Sequence, residues 1–212
     1  LFSIVKFNQI KKIKLIGDDS TYLLDDEIKG KVYDIYESIR DSASAFLFAE
    51  YKYMFYFIFI FSIIIFFLVG SANNCGGIVV LNSQLKNESG ACWDRGLFTS
   101  IFFIIGGLTS MLSGYIGMRI AVYTNARTTI SAQENWNKAF TTAYNGGAVM
   151  AYSLVSFALI ILYLCICLYH YKFDLNKLGN PQYLFEAIAG YGLGGSSIAL
   201  FGRVGGGIYT KA

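Results

Sequence analysis

The sequence predicts an all-α, polytopic membrane protein with about four transmembrane helices. Of its 212 residues 55% are hydrophobic and only 15% charged, and the mean hydropathy is +0.48, far from the composition of a soluble domain. A single proline interrupts the chain. Four apolar stretches are long enough to cross the ~30 Å hydrocarbon layer, for which about 20 residues suffice. The chain begins on Leu1 rather than Met and ends on Ala212 inside a dense motif, so it reads as cut from a longer polypeptide at both ends.

Residues 1–12 read as the tail of a preceding membrane helix, because the apolar start "LFSIV" has no processing site after it. Residues 13–52 read as a cytosolic segment. Within it Leu24, Ile28, Val32, Ile35 and Ile39 recur at intervals of three or four, and Asp25, Asp26 and Glu27 fall in what would be the first helical turn, where negative charge suits the helix dipole. That pattern predicts an amphipathic helix leading into the membrane. Residues 53–212 form the membrane domain, with spans at about 53–72, 98–123, 146–169 and 183–208. The first, "YMFYFIFIFSIIIFFLVGSA", carries no charge; its β-branched residues do not oppose a helix in lipid, where backbone groups must be satisfied within the segment. The last is weaker by hydropathy, since it holds Glu186, Arg203 and many glycines.

Charge sets the orientation. Eight of the 17 Lys and Arg lie in residues 1–52, whereas the loops 73–97 and 170–182 hold two each, so the positive-inside rule places the N-terminal flank in the cytosol. Nine of the 14 acids share that flank. A nucleic-acid partner would need a basic face without matching acids, and the cluster Asp18, Asp19, Asp25, Asp26, Glu27 argues against one. Cys75 and Cys92 fall in one non-cytosolic loop, where an oxidising lumen would allow a disulfide, and Asn87-Glu88-Ser89 in the same loop is a glycosylation sequon. Cys165 and Cys167 lie within an apolar span and read as packing residues. His170 is the one histidine, so no His-based metal site or nucleophile–histidine pair can be built from this stretch.

The last 23 residues, "GYGLGGSSIALFGRVGGGIYTKA", hold eight of the 22 glycines. Gly190, Gly192 and Gly195 match a dinucleotide-loop spacing, but no strand precedes them; Gly202 and Gly207 have phosphate-loop spacing, but Ile208-Tyr209-Thr210 separates them from Lys211. Close helix packing explains the glycines better. Gly190/Gly194, Gly195/Ala199 and Gly202/Gly206 form small-xxx-small pairs, which let helix backbones touch. Packing does not explain Arg203, since an arginine within a span costs ~2.5–3.5 kcal/mol on insertion scales and usually faces an interior path or a buried partner. Lys211 follows about 12 Å further along a helix axis, toward the cytosolic face.

These residues carry a family resemblance. "LFEAIAGYGLGGSSIALFGRVGGGIYTKA" resembles the fifth membrane helix of the membrane-bound, ion-translocating pyrophosphatases of vacuolar type, and "FLFAEYKY" at 46–53 and "NARTT" at 125–129 are similar to stretches of the same family. The likeness covers about residues 44–212; residues 1–43 match in layout only. "YNGG" at 144–147 stands where the family pattern has "FRSG" or "FRGG". The resemblance implies a homodimer in the lipid bilayer with sixteen helices per subunit, coupling hydrolysis of magnesium pyrophosphate to proton transport from cytosol to the lumen of a vacuole or other acidic organelle, with sodium transport as the alternative. It implies that Lys211 contacts pyrophosphate and that Arg203 belongs to the ion path, paired with a carboxylate on another helix. Magnesium and the catalytic aspartates are expected beyond Ala212, and potassium is a further candidate cofactor. No catalytic or metal-binding residue is expected within the stretch, which alone is expected to be inactive. A four-span scaffold of tetraspanin kind would instead place its large loop between the third and fourth spans, where residues 170–182 are short, and would leave Arg203 unexplained; a passive channel would need no polyanion site at the cytosolic end.

Overall fold

The computed structural model describes residues 2–13, 26–71, 93–172 and 181–209, and they are helical almost throughout, with no strand among them. Helix α1 is Phe2–Lys11, α2 Asp26–Gly70, α3 Trp93–Glu134, α4 Trp136–Lys172 and α5 Pro181–Val204, continued by a π-helical turn, Gly205–Tyr209. Four are long and apolar enough to cross a membrane: Gly30–Gly70, Trp93–Glu134, Trp136–Tyr171 and Leu184–Gly207. Each expected span falls on one of them. The amphipathic segment and the first span are one continuous helix of 45 residues.

Sequence reading leaves 124–145 as a connection, but α3 and α4 extend into it until only Asn135 stays outside helix. Residues 118–145 contain neither glycine nor proline, so nothing local ends the helices where hydropathy falls. At Asn135 the hydrogen-bond ladder barely lapses: its N–H donates to the Ser131 carbonyl (3.2 Å) and its carbonyl accepts from Ala139 (3.1 Å). Its Oδ1 accepts from the Asn137 N–H at 3.1 Å, an N-cap that satisfies one of the free amides starting α4. A helix of 42 residues is about 63 Å long, twice the hydrocarbon thickness, so α3 continues well outside lipid.

The chain divides into two compact units, residues 1–49 with 112–158, and residues 50–111 with 159–212. In the first, α3 and α4 form an antiparallel hairpin. Ser131 and Thr142 share a hydrogen bond at 3.3 Å, Gly146 lies against the Thr124 side chain, and Gly117 lies under Met150. Phe2 and Phe7 of α1 pack on Tyr152 and Tyr123.

In the second unit α2 and α3 run antiparallel. Ser100 Oγ donates to the Ser62 carbonyl at 3.0 Å and Tyr51 to the Met111 carbonyl at 2.6 Å. Met54, Ile58, Ile65, Phe103 and Ile198 make one buried cluster, and Phe102, Cys165, Tyr169 and Ala187 another. Here α5 lies along α3 in the same direction, Gly190 beside Thr99 and Gly194 beside Phe103. The step of four residues on both helices is that of ridge-into-groove packing.

Candidate functional site

The candidate site is built on α5, and its glycines decide how close that helix sits to its neighbour. A Cβ at Gly194 would fall on the Phe103 carbonyl oxygen, and one at Gly106 on the Tyr191 carbonyl oxygen; at Gly190 it would lie 2.7 Å from the Thr99 carbonyl oxygen. The obstacles are backbone, so only hydrogen fits at these three positions. The expected Gly190/Gly194 pair therefore makes the backbone contact its spacing predicts. Gly195 has ordinary contact with the Gly106 carbonyl oxygen at 3.7 Å, and the Gly202/Gly206 pair differs again: Gly202 has ordinary contact with Met54 at 3.8 Å rather than with backbone.

Arg203 occupies the last turn of α5 and its side chain is exposed. Among the described residues it forms no ion pair and no side-chain hydrogen bond. The expected substrate residue Lys211, the loop cysteines Cys75 and Cys92, and the sequon Asn87 lie outside the described residues. Glu186, the other charge in the last span, approaches Arg95 of α3 at 4.0 Å. Cys165 and Cys167 are free thiols; Cys165 is buried in a core cluster, in keeping with packing, whereas Cys167 is exposed. Among the described residues no three His, Cys, Asp or Glu side chains gather as a metal site.

Two charged residues behave differently from their reading in sequence. Arg127, which falls in the stretch that sequence reading leaves as a connection, is buried in α3: its guanidinium lies 3.4 Å from the centroid of the Tyr123 ring and Nη1 donates to the Tyr123 carbonyl at 3.0 Å. Asn145, within "YNGG", is buried, and the neighbouring Gly146 lies against Thr124. Glu50, counted with the acids of the water-facing flank, has Oε1 shut off from solvent and without a hydrogen-bond partner among the described residues. A Cβ at Gly205 would fall on that oxygen. The one sequence signal for Glu50 was its place inside "FLFAEYKY", three residues before the first span.

A polytopic helical membrane protein is thus defined, its last helix seated by glycine–carbonyl contacts and carrying in its last turn an arginine with no ion pair among the described residues. The family model described as "Inorganic H+ pyrophosphatase" matches residues 1–212, and the chain belongs to that family. It is 37% identical over 182 residues to a putative K(+)-stimulated pyrophosphate-energized sodium pump of Clostridium tetani, covering 86% of this chain and 21% of the relative. It is 32% identical over 206 residues to a K(+)-insensitive pyrophosphate-energized proton pump of Caldanaerobacter subterraneus, covering 96% and 27%. With the pyrophosphate-energized membrane proton pump 3 of Arabidopsis thaliana it shares 28% identity over 191 residues, covering 89% and 23%. The chain spans about a fifth to a quarter of the length of these curated relatives.

Proposed function

We propose that the polypeptide carrying this chain is a pyrophosphate-energised ion pump, which couples hydrolysis of magnesium pyrophosphate to proton transport from the cytosol into the lumen of a vacuole or other acidic organelle. The observation that carries the reading is family membership over all 212 residues, joined to a last helix of that family's kind ending in Arg203 and "YTK". Lys211 contacts pyrophosphate, where an ammonium offsets the negative charge of the leaving phosphate. Arg203 lies eight residues earlier in the sequence; it serves the ion path, paired with a carboxylate from the rest of the polypeptide. Magnesium neutralises phosphate charge when bound, held by residues outside this stretch; potassium is a further cofactor, and the pump works as a homodimer. Sodium as the transported ion is the second reading, favoured by the name of the Clostridium tetani relative.

Lys211→Ala in the full-length polypeptide tests the substrate assignment. A charge-assisted contact to phosphate is roughly twice as strong as a neutral one, so magnesium-pyrophosphate binding, phosphate release and ion uptake into vesicles are expected to fall together. Normal phosphate release at equal protein abundance would show that the lysine only reaches for the membrane surface. Uptake followed with a proton-sensitive dye and with radiolabelled sodium separates the two ion readings.

A further inference from the structure

We propose that Lys6 of α1 and Arg119 of α3 form a binding site for the headgroup phosphate of an anionic phospholipid, the two cations seated on the aromatic rings of Phe2 and Tyr115. The inference needs the membrane fold and not the pump reading. It begins from an uncharged run. Residues 96–118 of α3 carry no charge and are bounded by Arg95 and Arg119. The run is about 35 Å long at helical rise, slightly more than the ~30 Å hydrocarbon layer. Arg119 therefore falls in a headgroup layer.

Helix α1 reaches the same level. Gly117 lies under Met150 of α4, and Phe2 packs on Tyr152, two residues further along α4, with ring centroids 5.0 Å apart. Phe7 stacks on Tyr123 at 5.4 Å, so α1 runs in the same direction as α3 and begins beside the turn that holds Tyr115 and Arg119. Residues four apart share a helix face, so the face of α3 that meets α1 through Tyr123 also carries Arg119. Side chains on a helix lean toward its N-terminus, and in both helices that end points toward the membrane. Arg119 accordingly lies over the Tyr115 ring, 5.7 Å from its centroid, and Lys6 over the Phe2 ring at 5.8 Å. Both cations are held back at the headgroup layer.

No acid on these helices neutralises them. Helices α1 and α4 and residues 95–133 of α3 contain neither Asp nor Glu. On α2, Glu37 and Asp41 are taken up by Arg40 at 3.2 and 3.3 Å. Among the described residues neither Lys6 nor Arg119 forms an ion pair. Arg119, Tyr115 and Phe2 are exposed, so a lipid can reach them. A guanidinium presents paired donors that match two phosphate oxygens, and an ammonium adds a point charge. The rings beneath add cation–π attraction and themselves favour the membrane interface. A zwitterionic lipid brings its own cation to the same place, so the site selects headgroups of net negative charge.

The test uses the full-length polypeptide in detergent micelles, titrated with palmitoyl-oleoyl phosphatidylserine or with phosphatidylcholine of the same chains, and bound lipid is counted by native mass spectrometry. Lys6→Gln and Arg119→Gln are each expected to weaken one phosphatidylserine site per chain about fivefold, the share of one cation near an anionic headgroup, and the double variant about 25-fold. Arg119→Lys keeps the charge and is expected to lose less. Lys12→Gln removes an equal charge six residues after Lys6 and is expected to bind as wild type does. Melting temperatures without phosphatidylserine check that each variant is folded, and Lys6→Gln decides the matter if Arg119→Gln does not accumulate. Three results would overturn the proposal: phosphatidylcholine held as tightly as phosphatidylserine, displacement of phosphatidylserine by inorganic phosphate at the same concentration, or glutamine variants that bind no more weakly than Lys12→Gln. No pyrophosphate enters the measurement, so its failure leaves the pump reading standing.

Discussion

At Gly194 one hydrogen atom decides how closely α5 lies against α3. A Cβ there would overlap the Phe103 carbonyl oxygen, and a backbone atom cannot turn aside as a side chain can. Gly194→Ala is therefore expected to behave as an overpacking change, costing about 1–3 kcal/mol. Gly30, exposed on α2 with nothing within 4 Å of its Cβ position, supplies the contrast: Gly30→Ala should gain up to about 0.8–1.0 kcal/mol of helix propensity. Melting temperatures of the detergent-solubilised full-length protein should move in opposite directions, and a Gly194→Ala protein as stable as wild type would show that α3 and α5 do not touch there. The small-residue spacing was legible in sequence because it repeats every four residues. Glu50 and Arg127 were not, because a charge count places any acid or base outside an apolar window in water. Whether its side chain bends back under a neighbouring helix depends on contacts between residues about 155 apart, Glu50 and Gly205, or on an aromatic ring one turn away, Tyr123 for Arg127.

The elements were legible by kind rather than by extent. Hydropathy locates the part of a helix that lies in lipid and is silent about where the helix stops. So the four spans were found, while the helical continuation of α3 and α4 to either side of Asn135 was not. What ends a helix is capping chemistry, and at this turn it rests on one side chain, Asn135, whose Oδ1 holds the Asn137 amide. Asn135→Ala is expected to cost about 1 kcal/mol, and Asn135→Gly only a few tenths. The order of melting temperatures, wild type above glycine and glycine above alanine, checks this. Alanine at or above glycine would mean that helix propensity outweighs the cap and that α3 and α4 are joined by continuity of the ladder instead. The turn is worth testing because Ser131 and Thr142 meet across it and fix the register on which Gly146 and Gly117 find their partners.

For the whole molecule, glycine contacts and charge placement serve one arrangement. Backbone-to-backbone packing at Gly106, Gly190 and Gly194 fixes α5 beside α3, which leaves Arg203 at the end of a rigid helix with its guanidinium exposed and unpaired among the described residues. An arginine within a membrane span usually faces an anionic partner or an aqueous path, and the proposed pump would supply both. On the proposed reading, in which Lys211 contacts the phosphate and Arg203 serves the ion path, loss of Arg203 is expected to uncouple rather than silence the pump. The most direct measurement is therefore made on sealed vesicles carrying the full-length protein, wild type and Arg203→Ala at equal abundance, with phosphate release and lumenal ion accumulation recorded together. The expected result is that Arg203→Ala lowers the number of ions moved per pyrophosphate split, while Arg203→Lys, which keeps the charge, loses less. An unchanged ratio at full hydrolytic activity would contradict the assignment of Arg203 to the ion path.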